Sequence, residues 1–230
     1  MKTLANPLRA SRCLQLYDDA ALQKGVKISI GYDFEEYVSI TRGTPTKEPT
    51  FPTFRPDLSP IKSGEGYWIK GVDKNNDTAF LAAARLYNLS GSNFAEHVES
   101  LKAFYGDPSI HADPHDRCVC IAPSAKRITG KVAYHGDLWV RGDFRGKGLT
   151  KIILGTQRTL SFQMWTPDFL CAFVARWLLE KGVCRMPHYE PGGSILRLVQ
   201  HDILDDEWLA WRTGDELRSL VDEDERRDAV

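Results

Sequence analysis

Leu138-Trp139-Val140-Arg141-Gly142-Asp143-Phe144-Arg145-Gly146-Lys147-Gly148-Leu149-Thr150 sets a strand, a tight Arg-Gly-Lys-Gly turn and a helix start one after another. A helix begins with backbone N–H groups that lack partners, and its aligned peptide dipoles place about half a positive charge there, so such a start suits a pyrophosphate. Gly146 and Gly148 permit positive φ and close approach of the main chain to an anion, while Arg145 and Lys147 add local charge. Upstream, residues 131–141 alternate Val132, Tyr134, Leu138 and Val140 against Ala133, His135, Asp137 and Trp139, which predicts one strand with two chemically different faces. Downstream, Ile152, Ile153, Thr156 and Leu160 predict a helix over 149–165. A buried strand over 169–174 and a short helix over 175–181, stopped by Gly182, follow.

Farther out, helical spacing predicts a helix over 14–23 and alternation a strand over 26–30. Five prolines between Thr44 and Pro60 block helix and central strand, so this stretch reads as a long ordered loop. Residues 67–72 and 78–87 flank the polar turn Asp73-Lys74-Asn75-Asn76-Asp77 and predict a hairpin. Phe94, Val98, Leu101 and Phe104 fall on one face of a helix over 92–105, with Ser92 or Asn93 as its cap. Strands near 195–199 and 208–211 complete an α+β domain, and the charge run 222–228 reads as a frayed, solvated tail.

Arg145-Gly146-Lys147-Gly148-Leu149-Thr150 resembles the Gln/Arg-x-x-Gly-x-Gly/Ala signature of the GCN5-related N-acetyltransferase (GNAT) superfamily. The resemblance covers the chain from the hairpin through Val199. It implies a mostly antiparallel, splayed central sheet flanked by helices, and an activity that moves an acetyl or other short acyl group from acetyl-CoA (or another acyl-CoA) to an amine. It further implies that Arg145, Gly146, Lys147, Gly148, Leu149 and Thr150 hold the pyrophosphate. Leu138, Trp139 and Val140 would pair with the pantetheine arm, a backbone N–H near Trp139 or Val140 meeting the thioester carbonyl. On this division residues 67–220 form the acyl-CoA-binding core, residues 1–66 an N-terminal part of the same domain, and 221–230 the tail. Homodimers are common in families that use this fold. Thr150 stands where the signature has Gly or Ala, and Leu179 where many members carry the tyrosine that protonates the departing thiolate.

For proton handling, His135 and Asp137 stand two apart on the same predicted strand face and are candidate bases, with Tyr189 a candidate acid reaching in from a loop. Each also fits a structural role: the first two a hydrogen-bonding pair at the strand end, Tyr189 an aromatic packed on the sheet. Phe51, Glu65, Tyr67 and Trp68 lie where the acceptor pocket would form. Glu96 and Glu99 offer charge for a cationic amine, or a solvated helix face.

Two rival readings remain. An acyl-CoA-binding module without turnover is favoured by Thr150 and Leu179. His111-x-x-x-His115-x-x-Cys118-x-Cys120 gathers four possible zinc ligands, and a zinc-stabilised interaction domain is the second rival. The tight Cys-x-Cys spacing instead fits a strand with both thiols on one buried face, so the metal expectation is none.

Composition bounds the rest. Thirty basic residues nearly cancel thirty-one acidic ones in 230, so no overall field draws the chain to nucleic acid or an anionic membrane. The N-terminus lacks the apolar run of a secretion signal, and no stretch of about 18 apolar residues occurs. Five cysteines without regular spacing argue against a disulfide framework. The expected compartment is the cytoplasm.

Overall fold

The computed structural model describes residues 7–227. It contains α1 (Pro7–Leu22), β1 (Lys27–Gly31), α2 (Phe34–Gly43), β2 (Gly66–Val72), β3 (Thr78–Leu89), α3 (Phe94–Glu99), α4 (Pro108–His111), β4 (Arg117–Val119), β5 (Gly130–Val140), α5 (Leu149–Trp165), β6 (Phe169–Val174), α6 (Arg176–Glu180), β7 (His188–Leu198), β8 (Ile203–Thr213) and α7 (Gly214–Arg227). The strands form one sheet in the order β1-β2-β3-β5-β6-β8-β7-β4. Every neighbouring pair is antiparallel except β5 and β6. The mixed, mostly antiparallel α+β class expected from the sequence is the one observed.

Each face of the sheet buries its own core. One face carries Phe34, Phe54, Trp68, Tyr87, Phe94, Val132 and Tyr134 beneath α2, α3 and the proline-rich loop. The other carries Tyr67, Phe80, Ala133, Ile153, Leu160, Trp165 and Leu217, where α1, α5 and α7 pack. Close approach of α1 to α5 depends on Gly155: a Cβ built there would stand 2.1 Å from the Tyr17 ring. Among the described residues, no helix is long and apolar enough to cross a membrane.

Four departures from the sequence-based expectations have physical causes. The segment before the proline-rich loop holds α2, started by Asp33, whose carboxylate accepts from the Glu35 and Glu36 N–H groups, and supported by those acids near its positive end. The helix expected over 92–105 stops at Glu99, because Leu101 adopts a φ of 61°; Leu101, Ala103, Phe104 and Tyr105 are then buried by a turn instead of a helix face. The last two strands are eleven residues each, extending well beyond their apolar centres because they form one long hairpin. The charge run at the C-terminus continues α7 to Arg227: Val221 is buried against Cys13, and Asp224 accepts from Tyr17 and Arg158. Residues 228–230 of the expected tail, like residues 1–6, lie outside the described residues.

Candidate functional site

The parallel ladder between β5 and β6 is only three residues long: Val132 faces Phe169, Ala133 faces Leu170 and Tyr134 faces Cys171. Beyond it β5 stays with β3 and β6 with β8, so the two strands part and leave a V-shaped opening. In the same stretch, β5 spends four residues, Gly136 to Trp139, where β3 spends three, Ala83 to Leu81. This is a β-bulge, and Asp137 within it has a φ of 54°. Val140 main-chain polarity follows from the next residue. Arg141 N–H donates to the Ala79 carbonyl on β3, so the two-residue period turns the Val140 N–H and carbonyl into the opening, where Arg145 Nε donates to that carbonyl at 2.9 Å.

The splayed, mostly antiparallel sheet, the bulged strand, the glycine turn and the long helix now stand in sequence. This order is the one that the resemblance to the GCN5-related N-acetyltransferases implies. No family model matches the chain and no curated protein matches it. Among solved structures, Arabidopsis thaliana NAA60 in complex with acetyl-CoA is similar with a TM-score of 0.45 and 14% identity, covering 82% of this chain and 98% of that one. The spermidine/spermine N-acetyltransferase SpeG from Vibrio cholerae, in mutant forms, gives 0.46 and 7%, covering 85% and 98%. FeeM, an N-acyl amino acid synthase from uncultured soil microbes, gives 0.40 and 9%, covering 94% and 91%.

At the glycine turn, Gly146 and Gly148 adopt φ of 74° and 79°. Gly148 caps α5 with no side-chain hydrogen bond, so the first α5 amides are left to an external partner. The Arg145 and Lys147 amides are already bonded, to the Gly142 and Phe144 carbonyls. Arg145, Gly146, Lys147 and Gly148 are exposed, Thr150 is half-buried and Leu149 is buried as the anchor of the helix start. Arg141 is engaged by Asp73 and Asp143, whereas Lys147 lies over the Phe144 ring. A cation not foreseen from the motif completes the turn: Lys24 Nζ, from the α1–β1 connection, stands 3.7 Å from a Cβ built at Gly148.

The bulge overturns the expected strand faces. It carries Trp139 to the face of Val132 and Tyr134, where its Nε1 donates to the Thr46 carbonyl, and turns Val140 toward the α5 side. His135 and Asp137 therefore do not share a face. His135 is buried beneath α5 with Nε2 2.8 Å from Ser161 Oγ, and burial lowers its pKa to about 3, leaving it neutral. Asp137 accepts from Tyr37 on α2 at 2.8 Å and from Lys47 at 2.7 Å. Tyr189 is not on an inward loop: it belongs to β7, is 55% exposed, and stands 6.2 Å from the Trp208 ring.

Leu179 lies in α6, which follows β6 directly. Tyr67 and Trp68 are core residues on opposite faces, and Phe51 packs edge-on against Phe104. Glu99 accepts from the Cys120 N–H and Glu96 from Ser92. The proposed zinc ligands do not assemble: Cys118 and Cys120 are buried and raised in pKa by burial, His111 and His115 are outside that core, and no group of three or more metal-binding side chains occurs among the described residues. Lys47, Tyr37 and Lys24 were invisible to motif reading, because their sequence neighbourhoods carry no pattern. Only the fold brings them to β5 and to the turn.

Proposed function

We infer that the chain is an acyl-CoA-dependent N-acyltransferase that moves an acetyl or other short acyl group to an amine. The observation that carries this reading is the common outlook of two main-chain features. The Val140 N–H faces the opening between β5 and β6, and the uncapped start of α5 follows nine residues later. The turn fits a diphosphate sterically, since a Cβ at Gly146 would meet nothing within 4 Å. On this reading the Gly148, Leu149 and Thr150 amides receive the diphosphate, with Lys24, Arg145 and Lys147 adding charge. Leu138, Trp139 and Val140 line the pantetheine arm, and the Val140 N–H polarises the thioester carbonyl. Asp137, tied to Lys47 and Tyr37, holds the bulge in place instead of carrying protons; neutral His135 and outward-facing Tyr189 lie off the path of the acyl group.

Binding of acyl-CoA without turnover is the second reading, favoured by Leu179 on α6, which has no proton to give. Calorimetry with CoA and acetyl-CoA, followed by free-thiol release with a panel of amines, separates the two. Gly148→Glu places a carboxylate where the phosphates would lie and is expected to abolish coenzyme affinity. Unchanged affinity in that variant overturns the site.

A further inference from the structure

One carboxylate on the opposite side of the V belongs to no motif. Glu207 lies on β8 on the face of Leu209, with Ser194 of β7 as its register partner. Leu209 pairs with Phe173 of β6, and the Phe173 ring stands 5.5 Å from the Tyr134 ring of β5. Tyr134 and Phe173 flank the point where β5 and β6 separate, so Glu207 sits one step from the mouth of the opening. The Tyr134 hydroxyl feels the negative charges of Glu207 and Asp137. Glu207 is half-buried, yet among the described residues it has neither a hydrogen bond nor an ion pair. Carboxylates used as structural anchors are given donors, as Asp137, Glu190 and Glu216 are here.

We propose that Glu207 takes the proton of the incoming acceptor, a primary alkylammonium whose nitrogen docks beside Phe173 and Tyr134. The proposal rests on the acyltransferase reading. The ammonium gives one proton to a Glu207 oxygen. Its nitrogen lone pair forms the C–N bond to the thioester carbonyl carbon, the C–S bond breaks, and sulfur leaves with the electron pair. A second N–H proton, shed as the amide forms, goes to that sulfur, and the proton on Glu207 passes to water. The aromatic rings give the cation a favourable face before it is discharged.

Burial, reinforced by Asp205 on the same strand, raises Glu207 to about 7, which poises it for exchange at neutral pH. The other groups facing it are Tyr134 from β5 and, on β7, Glu190, which is held by the Ser124 N–H and hydroxyl at 2.9 and 2.6 Å; β6 presents Phe173. Glu99 of α3 is committed to the Cys120 N–H.

Initial rates of thiol release, measured from pH 5.5 to 9.5 with saturating acetyl-CoA and a primary alkylamine, test the assignment. In the wild type kcat/KM rises with a midpoint near 7 and then levels. Glu207→Gln is expected to lose on the order of 100-fold at pH 7 and to regain about tenfold per pH unit as the ammonium loses its proton to solvent, with CoA affinity unchanged. Asp205→Asn removes the neighbouring charge and moves the wild-type midpoint down while keeping the plateau rate. A Glu207→Gln profile that matches the wild type, or one lowered equally at every pH, overturns the proposal, as does loss of CoA affinity in that variant. No thiol release from the wild type with any amine overturns the acyltransferase reading itself.

Discussion

Lys47 Nζ lies 2.7 Å from Asp137 Oδ1, and both side chains are withdrawn from water, at 5% and 6% exposure. The lysine comes from the proline-rich loop and the aspartate from the bulge of β5, so the pair fastens the loop to the strand beside the opening. Tyr37 donates a second bond to the same carboxylate, and this phenol is held well above its ordinary range by burial and by the Asp137 charge. Removing one member of such a pair strands the other charge. Lys47→Met is expected to lower unfolding free energy by about 3 kcal/mol in urea titrations, and Lys47→Met combined with Asp137→Leu to recover part of that loss. Additive losses would show that the two side chains do not depend on one another.

Arg85 holds the same loop from below. Its guanidinium is buried without a carboxylate partner among the described residues, and it donates to the Thr53, Ser59 and Pro60 carbonyls and to the Ser59 hydroxyl at 2.7–3.2 Å. Arg85→Met leaves those carbonyls without donors and is expected to cost about 2–3 kcal/mol. Limited proteolysis should then cut within residues 53–60 before the rest of the chain opens. Wild-type protection of that segment in the variant would contradict the pinning role.

The buried imidazole of His135 makes stability depend on pH in a defined sense. Its folded pKa, about 3, is below the unfolded value of about 6.5, so the unfolded chain binds the extra proton between these limits. The contribution is therefore complete above pH 6.5 and is lost as pH falls toward 3. His97, lowered to about 4 by burial, acts in the same direction, while Glu207, raised to about 7, acts in the opposite one. Comparison of wild type with His135→Gln isolates one group: their difference in unfolding free energy should shrink by about 1.4 kcal/mol per pH unit below 6.5. A constant difference across pH 4.5–6.5 would mean that His135 titrates normally in the folded state.

At the α1–α5 contact, Gly155→Val would force the Tyr17 ring off Asp224, because even the first added carbon meets the ring at 2.1 Å. A loss of about 1–3 kcal/mol is expected, measured by urea denaturation. Tyr17→Ala added to Gly155→Val should make room and recover part of it, whereas further destabilisation would place the strain elsewhere.

The parts of the fold that were legible in the sequence are those in which one local rule governs. The α5 helix and β6 follow from unbroken periodicity, and the glycine turn from two residues that accept positive φ. The bulge was illegible because Asp137, a residue with a β-carbon, adopts a glycine-like φ only when Lys47 and Tyr37 hold it. One inserted residue there reverses every later face assignment, which is why simple alternation puts His135 and Asp137 on one face and Trp139 on the wrong one. The long β7–β8 hairpin was truncated in the sequence reading because its outer ends carry Glu190, Asp205 and Glu207, charges that pattern rules assign to loops. Glu207 is illegible in the sequence for the same reason. A charged residue in a strand is unremarkable until its neighbours on two other strands are known.

Three rungs of main-chain bonding, from Val132 to Tyr134 against Phe169 to Cys171, join the two halves of the sheet. One half carries α5 on β3 and β5, and the other carries α7 on β6 and β8, with the two helices touching across the seam. Within the sheet the two leaves are thus joined along three rungs only, and α5 and α7 brace them from one face. The width of the gap at any depth therefore follows from the angle at which β5 and β6 leave those three rungs, and the hydrogen bonds within each leaf do not enter into it.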